Sequence, residues 1–250
     1  MVVKGTPLPH RIAPDAIIEA LFEIRFESVS PLPEVLFGRL AEFPEWNGFT
    51  QRTLPAYTVP AQFRDQDANL RYVPIFELSG VDPIRSIRIG SHVLSYHLPK
   101  PYLGWKSFSG GADSAVDGLF EKTSGLLVNR LGLRYINALT PAAHQIYSIS
   151  DLDLSIAVSQ ALLEGNLNLN FTTDVDSETQ CTVRIATPQF AQGQPADATV
   201  VVDVDVFTVP GFQRNSPDGI KHWMSVARKA KNDAFMDLFK PETLARLRRD

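Results

Sequence analysis

The chain has 250 residues, 44% of them hydrophobic and 21% charged, and a formal charge of −4. That is the balance of a globular protein long enough to bury a sizeable core, as one large domain or two halves sharing an interface, and it excludes a disordered chain. The single cysteine, Cys181, excludes an internal disulfide and a cysteine-based zinc site.

No apolar run approaches the length of a membrane span, and the richest, 198–206, is broken by Asp203 and Asp205. Lys4, Pro7, Pro9 and His10 interrupt any signal-peptide core, so a cytoplasmic location and no membrane partner are expected. Residues 151–209 hold nine acids and one base, whereas 218–250 hold eight bases and five acids. A broad basic face is missing, so nucleic acid is not an expected partner.

In chain order, 16–27 alternates, with Ile18, Ala20, Phe22, Ile24 and Phe26 on one side and Glu19, Glu23, Arg25 and Glu27 on the other, the signature of a half-buried strand. Ser30 and two prolines introduce a short helix carrying Leu36, Phe37 and Leu40, closed by Pro44. Tyr57, Val59, Ala61 and Phe63 alternate, as do residues around Tyr72 and Ile75, and Pro60 and Pro74 place these strands at edges or bulges. Residues 84–98 read as a hairpin with Gly90 at the first position of a type II′ turn. A helix is predicted over 112–128, with Val116, Leu119, Phe120, Thr123 and Leu127 on its stripe.

Alternation then resumes at Leu131, Leu133, Tyr135, Asn137 and Leu139. The stretch 151–163 fits strand or helix. Strands follow around Leu167–Phe171, at Val183 and Ile185, and over 199–209, where the valine content marks a central strand. Ser216 and Pro217 cap a long helix with Ile220, Trp223, Met224, Ala227, Ala234, Phe235, Leu238 and Phe239 on one face, and Pro241 sets off a short terminal helix.

This order predicts an α+β fold of antiparallel sheets, each backed by a long helix. It divides into an N-terminal half, 1–128, of β-α-β(4)-α order and a C-terminal half, 129–250, of β-(α)-β(3)-α order, joined as one pseudo-symmetric body. The nearest analogies in element order are the TATA-box-binding-like saddle and helix-grip domains, and neither fixes a function.

Five phrases in order, Glu19–Phe26, Lys100–Trp105 with Phe108, Arg130–Asn137, Val202–Phe207, and Lys231-Asn232 with Phe235, resemble a sporadically distributed bacterial family of about this length and unknown function. The resemblance covers nearly the whole chain. It implies no activity, cofactor or substrate, and its sporadic distribution suits an accessory or defence role.

The residues offer several seats for chemistry. Lys100, Tyr102 and Trp105 group aromatics with a cation, which suits stacking on a ring beside an anion, or else a loop pinned to the core. Arg130 and Arg134 share a strand face with Gly132 between them, an anion seat unless acids such as Glu23 or Asp203 pair with them. Asn137, among apolar residues, needs hydrogen-bond partners if buried. Asp203 and Asp205 lie on one face about 7 Å apart, weak metal candidates or an acid/base pair. The acidic turn at Asp174, Asp176 and Glu178 lacks the glycine and distal glutamate of a calcium loop. The five histidines form no metal-binding pair, and no phosphate loop, nucleophile elbow or dinucleotide fingerprint occurs.

No cofactor is therefore expected, and the leading expectation is a non-enzymatic interaction or binding protein. Its partner is an unidentified protein, a small ligand or a second copy of the chain, and the basic side of the last long helix (Lys221, His222, Arg228, Lys229, Lys231, Asn232) is one docking face. The alternatives are a helix-grip-like small-ligand binder, and a hydrolase or nucleotide-acting enzyme using Asp203, Asp205, Arg134 and Lys100.

Overall fold

The computed structural model describes residues 11–247 apart from 83, 159, 160, 163, 164, 192 and 194. Lys4, Pro7, Pro9 and His10 lie outside the described residues.

The strands are β1 (Ile17–Glu27), β2 (Thr50–Thr53), β3 (Phe76–Val81), β4 (Ile84–Ile89), β5 (Val93–Pro99), β6 (Leu127–Leu139), β7 (Ala157–Val158), β8 (Ala161–Leu162), β9 (Asn168–Asp174), β10 (Thr179–Ala186) and β11 (Val200–Thr208). The helices are α1 (Pro33–Ala41), α2 (Ala61–Gln66), α3 (Trp105–Lys122), α4 (Pro141–His144), α5 (Pro217–Met236) and α6 (Pro241–Leu247). The fold is α+β. All its large-sheet pairings are antiparallel, in the order β2-β3-β4-β5-β1-β6-β11-β10-β9.

Where separate sheets were expected, one nine-stranded sheet forms. The reason is the long β1–β6 pairing, which runs from Ile17 opposite Asn137 to Glu27 opposite Leu127 and sews the two runs of strands edge to edge. Outward from this seam each side steps back through the chain order, β5, β4, β3 and β2 on one side and β11, β10 and β9 on the other.

Alternation decides the faces. Ala20, Phe22, Ile24 and Phe26 of β1, Leu131, Leu133 and Tyr135 of β6, and Val202, Val204 and Val206 of β11 are buried on one side. Helices α3 and α5 pack there and touch one another, α3 against β5 and α5 against β6, β10 and β11. Phe22 meets Trp223 of α5 at a ring separation of 6.4 Å. The opposite face carries the charged residues. Strand β11 is interior, as its valines predict.

Several local expectations change. Residues 55–66 are a short 3-10 turn and then α2 rather than a strand, because Pro55 and Pro60 suit helix starts and cannot donate to a ladder. Helix α3 begins at Trp105 and ends at Lys122, seven residues earlier than predicted at its start, and Leu127 belongs to β6. Gly90 is not at a left-handed turn position; it accompanies the β4–β5 turn because a Cβ there would sit 2.7 Å from the Val73 carbonyl oxygen. Of 151–163, the described parts contain the two-residue strands β7 and β8, while 159, 160 and 163 lie outside the described residues.

Candidate functional site

A β-bulge opens the site. Between Ile17 and Glu19 the register of β1 against β6 slips by one residue, so Ile17 stands opposite Asn137. The carbonyl of the extra residue, Ile18, accepts from the Lys100 backbone N–H at 2.9 Å. Bulges re-aim side chains and end pairing. Here Ile17 and Asn137 both turn to a cavity of about 230 Å³ under the C-terminal half of α5.

The cavity gathers three of the five phrases. Tyr102 and Trp105 come from the turn into α3, Tyr135 and Asn137 from β6, and Lys231, Asn232 and Phe235 from α5. The Tyr102 and Tyr135 hydroxyls are hydrogen-bonded at 3.0 Å, and their rings meet edge to face. Burial pushes the Tyr102 phenol up to about 12 and holds Tyr135 well above its ordinary value, so both remain hydroxyls at neutral pH. Asn137 is buried and donates to the carbonyls of Val202 (3.1 Å) and Tyr135 (3.4 Å), which satisfies its amide nitrogen.

Two cations enter from α5. The Arg228 guanidinium lies 4.8 Å from the Trp105 ring centroid, and Lys231 Nζ lies 4.2 Å from that of Tyr135. Neither forms an ion pair with the described residues. The acid on the wall, Asp15, is already occupied: Oδ2 accepts from Arg11 and Oδ1 from the Ile17 N–H. Burial lowers the Lys231 amine to about 8, the neighbouring charge of Arg228 acts the same way, and Asp15 opposes it.

The basic side of α5, expected as one docking face, is therefore divided. Lys221 pairs outward with Asp117 at 2.7 Å and Lys229 with Asp233 at 2.5 Å, whereas Arg228, Lys231 and Asn232 line the cavity. The signal was present in the spacing. Positions 224, 228, 231 and 235 fall on one helix stripe, so two cations interrupt an apolar face.

The other sheet face holds a second, open cleft of about 270 Å³ that includes Arg88, Arg130, Gly132, Arg134 and Asp205. Its arginines are committed. Arg130 donates to Glu23 at 2.8 Å and Arg134 grips Asp203 with two bonds of 2.8 and 2.6 Å. Arg88 donates to Glu77 at 2.5 Å. Cross-strand register produces this lattice, with Arg134 opposite Asp205 and one step from Asp203. Burial raises the Asp205 carboxyl, with Arg130 and Arg134 opposing.

Sequence reasoning missed a hydrogen-bonded run in this cleft. Ser95 Oγ meets His97 Nε2 at 2.9 Å, and His97 Nδ1 meets Glu19 Oε1 at 2.9 Å. The bond from His97 holds Glu19 below its ordinary carboxylate range. The order is that of a nucleophile, base and acid, but Ser95 lies mid-strand between two paired neighbours, β4 and β1. Its backbone is spent on the sheet, which leaves no pair of free N–H groups to receive an oxyanion.

Of the groups in the hydrolase reading, Asp203, Asp205 and Arg134 come together, whereas Lys100 is exposed at the end of β5 and lines neither cleft. Among the described residues no cluster of three His, Cys, Asp or Glu side chains is arranged to hold a metal. Asp203 is instead bound to Arg134. A larger concavity of about 700 Å³ runs along 147–156 and 187–189, but its charged lining is Asp153 and Lys240, and Lys240 donates to the Ser150 carbonyl. It offers no convergent charge.

No protein-family model matches the chain, and no curated protein matches it. No helix among the described residues is long and apolar enough to cross a membrane.

Proposed function

We propose that the protein binds a small anion, a carboxylate or phosphate on a compact planar body, in the cavity between α5, β6 and the start of α3. One observation carries the reading: Arg228 and Lys231 stand over aromatic rings at the cavity, with no carboxylate paired to them among the described residues. Bringing two uncompensated cations together in a half-buried place is costly, and an anion relieves that cost. The tyrosine hydroxyl pair and the Trp105 face supply the few placed polar groups and apolar walls common to small-molecule sites.

The volume, about 230 Å³, falls below the roughly 300–1,000 Å³ of drug-sized sites, which favours a small metabolite. This is why the small-ligand reading is preferred to the protein-partner role that the sequence suggests, since a protein partner needs a broad contact surface. The arginines of the opposite cleft, each satisfied by an acid, give the hydrolase reading less support.

The test is thermal unfolding with acetate, lactate, pyruvate, benzoate and inorganic phosphate. At least one raises Tm in the unaltered chain, and the rise disappears in Arg228→Met/Lys231→Met while the unliganded double variant still unfolds cooperatively. Equal rises in both proteins, or none at all, would refute the assignment.

A further inference from the structure

A lysine amine becomes a nucleophile when desolvation and a neighbouring cation release its proton, provided no carboxylate holds it charged. Lys231 meets each condition geometrically. Its Nζ sits over the Tyr135 ring, Arg228 is one turn earlier on the same helix face, and the wall acid, Asp15, is bound to Arg11 and to the Ile17 N–H. The amine borders a cavity large enough for a small substrate, whereas Lys221 and Lys229 are tied to aspartates at the surface.

We propose that Lys231 forms a reversible imine with the carbonyl carbon of a small 2-oxo acid whose carboxylate is held by Arg228. This rests on the anion-binding reading of the cavity. The neutral Nζ adds its lone pair to the carbonyl carbon, and a proton passes from nitrogen to the carbonyl oxygen to give a carbinolamine. That hydroxyl then takes a second proton from the tyrosine pair and leaves as water, the nitrogen lone pair closes the C=N bond as an iminium, and the remaining N–H proton returns to the pair to leave the imine. One water is released and nothing is oxidised or reduced.

The Tyr102–Tyr135 hydroxyl pair, 3.0 Å apart on the same wall, is placed to pass these protons. Both phenols stay protonated at neutral pH because burial raises them, so one donates to the other and the accepting hydroxyl keeps a proton to give. The low Lys231 value, about 8, supplies neutral amine at working pH that an exposed lysine lacks.

The experiment incubates the full chain with pyruvate and sodium cyanoborohydride, which reduces the imine to a stable secondary amine, and maps the adduct by peptide mass spectrometry. The adduct forms at Lys231 about tenfold or more faster than at other lysines, because a lower amine pKa enlarges the neutral fraction. Its rate climbs with pH and levels off above about 8. Lys231→Arg gives no adduct there, and lactate, which has the carboxylate without the carbonyl, raises the Tm of the unaltered chain without forming one. Absence of adduct while pyruvate and lactate both raise Tm overturns the imine and leaves anion binding standing. Absence of both adduct and Tm rise overturns the two together. Adducts spread evenly over the lysines also overturn the imine.

Discussion

Lys231 shows how one residue separates stability from use. The folded chain holds its proton less tightly, at about 8, than the ordinary value of 10.5. Between those values the unfolded chain binds more protons, so this residue's contribution to stability rises with pH across that window. Below pH 8 the residue is charged in both states, and the folded state carries the full burial penalty. Lys231→Met is therefore more stable than the unaltered chain at pH 7, by about 1 kcal/mol once partial solvent contact is allowed for. The gap closes as pH approaches 10.5, and urea denaturation at pH 7, 9 and 10.5 measures it. A less stable Lys231→Met at pH 7 would show that the ammonium is well compensated in the fold.

The residue scale was partly legible. Tyr102, Trp105 and Asn137 were singled out and meet at one cavity, while Arg130 and Arg134 lie on the other sheet face. Period-two alternation separates those faces, which is why the sequence could sort them. Arg228 and Lys231 were read as part of one basic docking side, since a helix wheel shows which residues share a face but not which neighbour covers it. His97 and Ser95 escaped notice because their partner, Glu19, lies on a different strand and the contact depends on register.

At the scale of elements, the start and stripe of α5 were legible, but its end was not: Leu238 and Phe239 were counted on its face, whereas the helix stops at Met236 and Phe239 bridges to Leu152. Ser216 Oγ accepts from the Gly219 N–H, Pro217 opens the first turn, and the apolar stripe fills the middle. The start of α3 was hidden by Gly110 and Gly111, since glycine inside a helix is disfavoured by about 1 kcal/mol relative to alanine. Packing explains one of the pair. A Cβ on Gly111 would lie 2.3 Å from the Tyr96 hydroxyl, whereas one on Gly110 meets nothing within 4 Å. Gly110→Ala should therefore stabilise the protein by about 0.5–1 kcal/mol. Gly111→Ala should destabilise it by about 1–3 kcal/mol through overpacking. Denaturant midpoints of both variants test this, and equal effects would mean that Tyr96 yields freely.

The misreading of 55–66 has the same kind of cause. Alternating Tyr57, Val59, Ala61 and Phe63 satisfies a strand pattern over a few residues, but prolines at 55 and 60 remove donors that a ladder needs and fit helix starts instead. Short patterns are ambiguous where backbone donors decide.

At the scale of the whole molecule, one sheet carries two dissimilar faces. The helix-covered face buries the core and, where the β1 bulge interrupts pairing, leaves a cavity edged by two cations that form no ion pair among the described residues. The open face is a lattice of arginines and acids, each closed on its neighbour through strand register. Sequence predicted the antiparallel α+β class, because alternation and amphipathic stripes are local. It did not predict that the strands join as one sheet, because the β1–β6 seam pairs residues as far apart as Ile17 and Asn137.

The contrast between the two faces gives the most direct test of the account. Two-dimensional amide NMR spectra are recorded while pyruvate is titrated into the full chain. The account predicts shifts concentrated at 102–105, 135–137 and 228–236, with the amides of Arg88, Ser95 and Arg130 unmoved. Shifts centred on the arginine cleft, or none at all, would contradict it.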